Sequence, residues 1–259
     1  MTVEADLERR FGSVDRAYGH LVTGILNQAH VVVVGLGGVG SWAAESLARS
    51  GLGQLTLIDL DHVAESNINR QVHALSTTIG QAKVLAMQSR IKAINPACAV
   101  APVEEFVDAG NVSDLIPVSA QVVLDCTDQL GAKAAMVLCA RQRSQRLIVC
   151  GAAGGKTDGL SLRFGDLRDS THDALLARLR ATLRKQHRFP GVSAKRTPPM
   201  GVSVLWFDQP SHRPVSVSGT SDASAPLACS GYGSLVTVTA AMGLAAAGKA
   251  IDFLVGHKC

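Results

Sequence analysis

A glycine-rich segment near the amino end constrains the fold of this 259-residue chain more than any other feature. It reads GLGGVGS at positions 35 to 41 and follows the β-branched run HVVVV at 30 to 34. The residues after it carry apolar side chains at helical spacing, which predicts a strand, a tight turn and a helix. Gly35, Gly37 and Gly40 form the GxGxxG pattern, in which a backbone without β-carbons approaches a phosphate at a helix N-terminus.

Strand-like and helix-like segments alternate after this turn. Strands are predicted at LTLID 55 to 59, CAVAPV 98 to 103, QVVLDCTD 121 to 128 and RLIVCGAA 146 to 153, and helices at 80 to 94 and 130 to 143. Hydrophobic residues make up 47% of the chain and aromatic residues only 4%, which is typical of a sheet covered by helices on both faces. The predicted fold is therefore α/β, a doubly wound, mostly parallel Rossmann-like sheet.

The predicted organisation is one domain over residues 1–259. An amphipathic helical arm is expected at 1–29 and a nucleotide-binding core at 30–155. The C-terminal extension, 156–259, is expected to add a strand and a helix and to contain a basic segment and a mobile loop at 208–228, which is rich in Ser and Pro.

The apolar stretch at 234 to 255 has the length of a membrane span. Lys249 and Asp252 interrupt it, and Ala is more frequent in it than Leu, so a packed terminal helix is expected and membrane association is the minor alternative. Six dispersed cysteines and a charged amino end indicate a reducing, cytoplasmic location.

An acidic residue ends the second predicted strand. Asp59 is placed to accept a hydrogen bond from a ribose hydroxyl, as in many dinucleotide-binding proteins. The segment that follows favours an ATP site over an NAD site. Arg70 and Lys83 would bring two cations to the phosphates, and a triphosphate carries more charge to neutralise than the pyrophosphate of a dinucleotide. Attack on the α-phosphorus of ATP releases pyrophosphate, and the charge on that leaving group must be neutralised by such cations together with a magnesium ion.

A second acidic motif, DCTD, follows the fourth predicted strand. Asp128 would lie at the carboxyl edge of the sheet, where open α/β folds bind ligands, and is the expected magnesium ligand. Asp125 is the alternative ligand, or else a structural acceptor for the loop.

These motifs together resemble the ubiquitin-activating-type superfamily of adenylating enzymes, through GLGGVGS, LIDLD, NINRQ, GQAK, INP and DCTD in that order. The resemblance implies an ATP site that uses the glycine loop, the acids after the second strand, the polar loop that follows and a magnesium ligand. These residues are Gly35, Gly37, Gly38, Gly40, Asp59, Asp61, Asn67, Arg70, Gln71, Lys83 and Asp128. It also implies a homodimer in which an N-terminal arginine reaches the partner's site, with Arg16 preferred to Arg10.

Within that superfamily the chain is most similar to the tRNA threonylcarbamoyladenosine dehydratases. RFGSVDRAYG, NRQVHAL, GAAGG and ACSGYGS carry this resemblance. It implies that the chain adenylates the threonyl carboxylate of the modified nucleoside and closes a ring with release of AMP. Cys229 resembles a cysteine of this group, although the proposed chemistry requires no thiol.

Three other readings are open. The first is activation of the C-terminal Gly-Gly of a small sulfur-carrier protein, although the chain lacks the two CxxC zinc pairs common in such activators. The second is an NAD-dependent oxidoreductase, which leaves Arg70, Lys83 and Asp128 without a role, and the third is a catalytically inactive scaffold.

The expected macromolecular partner is tRNA, and nothing in the sequence calls for DNA. A basic run from Arg178 to Arg196, with Arg184, Lys185, Arg188 and Lys195, is one candidate for contacts with tRNA phosphates. A solvated helix face is the alternative reading. A monovalent cation near the C-terminal glycine turns has no ligand spacing to support it.

Overall fold

The computed structural model describes residues 6–191, 197–212 and 232–256. These residues form a seven-stranded sheet in the order β3-β2-β1-β4-β5-β7-β6. Six strands are parallel, and β6 pairs antiparallel with β7 at one edge. The crossover from β1 to β4 in the middle of the sheet creates the switch point at which doubly wound folds bind ligands.

The strands are β1 His30–Val34, β2 Gln54–Ile58, β3 Ala99–Val103, β4 Val122–Asp125, β5 Arg146–Cys150, β6 Leu162–Asp166 and β7 Ser203–Phe207. The helices are α1 Leu7–Tyr18, α2 Thr23–Gln28, α3 Gly40–Arg49, α4 Lys83–Ile94, α5 Val112–Leu115, α6 Leu130–Arg143, α7 Ala174–His187 and α8 Val236–Leu254. Short 3-10 turns lie at Glu65–Asn67, Gly159–Ser161 and Leu167–Asp169.

Helices cover both faces of the sheet, so the central strands are buried on two sides. Alternate residues of β1 divide between two apolar clusters: Val31 and Val33 face α3, α4 and α8, whereas Val32 and Val34 face α5, α6 and α7. This arrangement explains why β1 is a continuous β-branched run instead of an alternating pattern. The α/β fold class predicted from the sequence is confirmed.

Several boundaries differ from the predictions: β4 ends at Asp125 instead of residue 128, β5 ends at Cys150 instead of residue 153, and strand β6 was not predicted. Helix α4 begins at Lys83 instead of residue 80, because the preceding backbone turns at Gly80, whose φ is +85°. The sequence predicts a basic helical stretch at 168 to 188, but helix α7 begins only at Ala174, where the Asp173 side chain accepts a hydrogen bond from Leu176 N. Strand β6, LRFGD, packs Leu162 and Phe164 against the core with Arg163 exposed between them, but this alternation is only three residues long before Gly165 and Asp166.

The helical arm lies against the amino edge of the sheet, far from the glycine turn. Phe11 of α1 is buried against Gly51, just after α3, and Arg10 donates a 2.7 Å hydrogen bond to the carbonyl of Ile94 at the end of α4. The arm therefore covers the carboxyl ends of these two helices.

Helix α8 is long and apolar enough, by length and composition, to cross a membrane. In this fold it packs against α3 and the sheet, with Val238, Met242, Ala246 and Ala250 fully buried. Most of the loop predicted at 208–228 lies outside the described residues. Its first part is hydrogen-bonded, since His212 N donates to Gly155 O.

Candidate nucleotide-binding site

The turn between β1 and α3 is shaped by glycines. Gly35 has a φ of +86°, which residues with a β-carbon rarely adopt. A β-carbon at Gly40 would lie only 1.9 Å from the carbonyl oxygen of Gly35, so the loop closes this tightly only with glycine there. The first turn of α3 has no side-chain cap at Val39; Ser41 N and Ala43 N donate to the carbonyls of Gly37 and Val39, and the other amides at this helix N-terminus are available to an anion.

The acids after β2 are tied to this turn. Asp59 is buried, and its two carboxylate oxygens accept hydrogen bonds from Leu36 N at 2.6 Å and Asp61 N at 2.9 Å. Burial raises the pKa of Asp59, and the nearby Lys83 ammonium opposes that rise. Asp59 thus fixes the start of the glycine turn, with a remaining lone pair on each oxygen for a ligand.

Lys83 begins α4 and lies beside the same acids. Its ammonium contacts the Asp61 carboxylate at 2.7 Å, and its side chain is 7% exposed while that of Asp61 is 56% exposed. The backbone holds the pair in register, because Lys83 N donates to Asp61 O. One end of this ion pair therefore faces solvent at the carboxyl edge of the sheet.

The polar loop between β2 and α4 passes over the glycine turn. A β-carbon at Gly38 would lie 3.2 Å from Cγ of Arg70. The Arg70 guanidinium donates to the carbonyl of Ser66 and to Oδ1 of Asn69, and Trp42 Nε1 of α3 donates to the Arg70 carbonyl. Arg70 therefore stands at the glycine turn and is anchored from both sides.

The other two polar residues predicted in this loop are buried. Asn67 accepts a hydrogen bond from Ala64 N and stabilises the 3-10 turn, and Gln71 has a buried Oε1 with no partner among the described residues. Asn69 was not predicted as a site residue, and its Nδ2 donates to Ser234 O at 2.8 Å. This bond joins the loop to the start of the C-terminal segment.

The DCTD turn after β4 packs directly beneath the glycine turn. A β-carbon at Gly35 would lie 3.0 Å from the Cys126 carbonyl carbon and 3.1 Å from Thr127 N. Asp128 is exposed and makes no hydrogen bond or ion pair within the part of the chain that the structure describes. Its carboxylate is therefore available to a cation at the switch point.

Asp125 lies in the opposite environment, completely buried. It accepts hydrogen bonds from Thr127 N and Oγ1, and its Oδ1 lies 3.1 Å from the ammonium of Lys133, which is also fully buried. Lys133 donates in addition to Cys150 O at 2.7 Å. Burial raises the pKa of Asp125, and Lys133 and Thr127 oppose that rise. Asp125 therefore holds the turn that carries Asp128 and is not exposed to a ligand.

The structure brings the glycines, Asp59, Asp61, Arg70, Lys83 and Asp128 to one edge of the sheet, but it does not bring Arg16 there. Arg16 is exposed on the last turn of α1, at the opposite edge. Helix α3, which spans about 15 Å, separates its neighbourhood from the glycine turn. Arg16 is therefore not placed to serve the nucleotide site of its own chain. Arg10 is already hydrogen-bonded to Ile94 O.

The predicted basic run divides into two kinds of residue. Arg178, Lys185 and Arg188 are exposed. Arg180 and Arg184 instead donate hydrogen bonds to backbone carbonyls, those of Leu167 and Ser170 and that of Pro190 respectively. Lys195, Arg196 and Cys229 lie outside the described residues.

Sequence reasoning missed two buried cationic or titratable groups near the site, Lys133 and His73. His73 is 1% exposed, and neither ring nitrogen has a partner among the described residues. Its burial, with the Lys83 and Arg90 cations nearby, lowers its pKa to about 4. Neither residue could have been found from local pattern, because a lysine in a helix and a histidine in a loop are ordinarily solvated.

This α/β domain has the features of a nucleotide-phosphate site. They are a glycine turn at the switch point, acids just after the next strand and cations beside the turn. The ThiF family model matches residues 16–259, and the chain belongs to this family.

The similar proteins include tRNA-modifying enzymes. The chain is 38% identical over 251 residues to the tRNA threonylcarbamoyladenosine dehydratase of Haemophilus influenzae, covering 97% of this chain and 95% of that protein. Two crystal structures of the Escherichia coli tRNA N6-threonylcarbamoyladenosine dehydratase superimpose with a TM-score of 0.85 each. The AMP complex is 36% identical and covers 99% of this chain and 98% of the other; the ATP complex is 35% identical and covers 98% of both.

Proposed function

We propose that this chain is an ATP-dependent tRNA threonylcarbamoyladenosine dehydratase. The similarity to such enzymes over nearly the whole chain supports this proposal. The glycine turn, the acids and the cations also lie together at the carboxyl edge of the sheet. The chain would act as a single adenylating domain, with an arm at 1–29, a nucleotide core at 30–155 and an extension at 156–259.

ATP would lie across the switch point. The free amides of the first turn of α3 are suited to the phosphates, and Asp59 to the ribose. Arg70 stands over Gly38, and Lys83 would exchange its exposed partner Asp61 for a phosphate oxygen. Asn67 and Gln71 would act by holding the loop, as their burial indicates.

The residues present fit a magnesium ion. Asp128 is an exposed carboxylate without a partner among the described residues. The described ranges contain no group of three or more His, Cys, Asp or Glu that could hold a metal by itself, so the other ligands would come from ATP and water. Magnesium commonly binds through one carboxylate together with substrate phosphates and water. When bound at Asp128, the ion would neutralise charge on the departing pyrophosphate.

The first chemical step would join the threonyl carboxylate to the α-phosphorus of ATP. The carboxylate oxygen forms the new bond, the bond to pyrophosphate breaks, and pyrophosphate leaves with its electron pair. Arg70 and Lys83 would stabilise the negative charge that develops on the phosphate oxygens. The amides of α3, fixed by the glycine turn, need little reorganisation to do the same.

The second step would close the ring. A neighbouring oxygen or nitrogen of the carbamoyl group attacks the acyl carbon, a carbamoyl N–H gives up its proton, and AMP leaves with the electron pair of the bond that breaks. The reacting groups belong to one side chain and are already close, so proximity supplies much of the acceleration and no enzyme nucleophile is needed. The net change is the loss of one water from the nucleoside, driven by ATP cleavage.

A second copy of the chain would complete the site. Arg16 lies too far from its own glycine turn to contact ATP there, and its guanidinium makes no hydrogen bond or ion pair with the described residues. We therefore propose a homodimer in which Arg16 reaches the partner's nucleotide site.

Transfer RNA would extend beyond the nucleotide site. Helix α7 starts at the carboxyl edge of the sheet and runs about 20 Å to the other edge, where Lys185 and Arg188 are exposed. Lys185, Arg188 and Arg178 are the proposed contacts with tRNA phosphates. A tRNA-modifying enzyme of this kind would work in the cytoplasm. Replacing all three with Ala should lower the slope of log affinity against log salt by about 2 to 3. The replacement Arg163→Ala on β6 serves as a single-cation control.

Exchange of labelled pyrophosphate into ATP tests the proposal. Exchange should require tRNA that carries threonylcarbamoyladenosine, and unmodified tRNA should not support it. Exchange that requires a small carrier protein instead would favour sulfur-carrier activation. Protection from melting by NAD but not by ATP with magnesium would favour an oxidoreductase.

A further inference from the structure

Two thiols outside the proposed chemistry lie side by side beneath the glycine turn. Cys126 follows β4 and Cys150 ends β5, and their Sγ atoms are 3.9 Å apart. The strands are parallel neighbours with Asp125 opposite Val149, so these cysteines occupy the next position in register. Neighbouring strands lie about 4.8 Å apart, which is within the Cα separation that a disulfide spans.

The two thiols differ in access. Cys150 is 1% exposed within the apolar cluster under α3 and α8, whereas Cys126 is half-buried at the margin of the same cluster. A reagent would therefore reach Cys126 first and find Cys150 directly behind it.

Cys126 also forms the floor of the nucleotide loop. A β-carbon at Gly40 would lie 3.1 Å from Cys126 Cβ, and Cys126 N donates to Val34 O at 2.8 Å. The next two residues lead to Asp128. A shift of Cys126 towards β5 would therefore move the support of Gly35 and Gly40 together with the DCTD turn.

From this arrangement we propose that Cys126 and Cys150 form a dithiol site that a small-molecule disulfide oxidises to an intramolecular disulfide, and that this bond closes the nucleotide site. The formation of the bond depends only on the two thiols. Its effect on ATP rests on the proposed function.

The reaction balances as two thiol–disulfide exchanges. Cys126, as the thiolate, attacks the small disulfide RSSR, forms a mixed disulfide and releases one RS⁻, which takes up the proton lost by Cys126. Cys150 then attacks the Cys126 sulfur, a second RS⁻ leaves and takes up the Cys150 proton. Two protein thiols are oxidised and one RSSR is reduced to two RSH.

The consequence for the loop follows from the length of the new bond. An S–S bond is about 2 Å long, so the sulfurs must approach by nearly 2 Å from their present separation. Cys150 is held by the core and by the bond from Lys133 to its carbonyl. The movement therefore falls mainly on Cys126.

The experiment treats the full-length protein with glutathione disulfide at mildly alkaline pH. Tryptic peptides 147–156, which contains Cys150, and 93–133, which contains Cys126, are analysed without reduction, and fragmentation separates Cys126 from Cys98. ATP affinity is measured before and after treatment, so that each variant is compared with its own reduced form. The variants are Cys150→Ala and, as a matched control for a buried thiol, Cys139→Ala.

The expected result is a Cys126–Cys150 cross-link in the wild type and in Cys139→Ala, an ATP affinity lowered at least about tenfold, and recovery with dithiothreitol. Cys150→Ala should instead retain one glutathione on Cys126. Free thiols or a persistent glutathione adduct in the wild type would overturn the dithiol site. A complete cross-link with unchanged ATP affinity would overturn the closure. A reduced wild type that binds no ATP would instead sink the proposed function, and the peptide result would still decide the dithiol site.

Discussion

Helices α4 and α6 each carry, in the first turn, a lysine paired with an aspartate, and the two pairs differ in solvent exposure. Lys83 is buried but its partner Asp61 is largely exposed, whereas Lys133 and Asp125 are both fully buried. In the first pair, solvent or a ligand phosphate can replace the carboxylate. In the second, both side chains are fully buried, so neither solvent nor a ligand can replace either partner.

This difference separates a cation whose partner a ligand can replace from one that supports the turn after β4. Lys133 bonds to Asp125 and to Cys150 O, and Asp125 bonds to Thr127, so the pair fixes the turn that ends in the exposed Asp128. Lys83 is oriented by α4 and Asp61, and its ammonium lies beside Asp59 at the glycine turn. Two similar ion pairs at one sheet edge are thus expected to affect different properties.

The largest effect is expected from Lys133→Met, on stability. It leaves the Asp125 charge buried without a cation, and the free energy of unfolding should fall by about 3 to 5 kcal/mol. Urea denaturation measures this. The double variant Lys133→Met with Asp125→Leu removes both charges and should recover much of the loss. A single variant within about 1 kcal/mol of the wild type would show that the pair does not brace the turn.

Lys83→Met should affect catalysis instead. Its partner is exposed, so the loss of the pair should cost at most about 1 kcal/mol of stability. Removal of a cation that stabilises the transition state should slow pyrophosphate exchange by about 10² to 10³-fold. The matched control is Lys92→Met, in the last turn of the same helix. Normal exchange by Lys83→Met would contradict the assigned role.

The effect of pH on stability tests the environment of His73, which is buried and lies near the Lys83 and Arg90 cations. The pKa of His73 is about 4 in the folded protein and about 6.5 in the unfolded chain, so the unfolded state binds more protons between these values. Stability from this group is complete above pH 6.5 and declines by about 3 kcal/mol as the pH falls to 4. His73→Gln should flatten this decline in urea titrations, and exposed His62→Gln should not. Equal declines in both variants would exclude His73 as the cause.

The smallest of these effects is expected from Asp128→Asn. Asp128 is exposed, so stability should change by less than about 0.5 kcal/mol. The magnesium concentration that gives half-maximal exchange should rise about tenfold or more. If the magnesium dependence is unchanged, Asp128 is not the ligand.

The parts of the molecule that sequence predicted well depend on local patterns. The strand, the glycine turn and α3 follow from residues 30 to 49, and Asp59 follows from its position at the end of the next strand. The pairing of Lys133 with Asp125 could not be predicted, because it joins the start of a helix to the end of a strand through a side chain that would ordinarily be solvated.

The placement of the arm depends on long-range packing in the same way. The spacing in 4 to 27 predicted helices, but only the contact of Phe11 with Gly51 places them at the amino edge. Strand β6 was missed because its apolar and polar residues alternate over only three positions, Leu162 to Phe164, before a glycine and an aspartate. The sequence also could not show which arginines of α7 are exposed and which, such as Arg180 and Arg184, donate hydrogen bonds to backbone carbonyls.

The central claim is that the glycine turn, Arg70, Lys83 and Asp128 activate the threonyl carboxylate of a modified nucleoside. Incubation of the protein with ATP, magnesium and tRNA that carries threonylcarbamoyladenosine, followed by mass spectrometry of the nucleosides, tests it most directly. We predict that the nucleoside loses the mass of one water only when ATP is present and that Lys83→Met slows this loss by about 10² to 10³-fold. An unchanged nucleoside, with protein that binds ATP normally, would contradict the account.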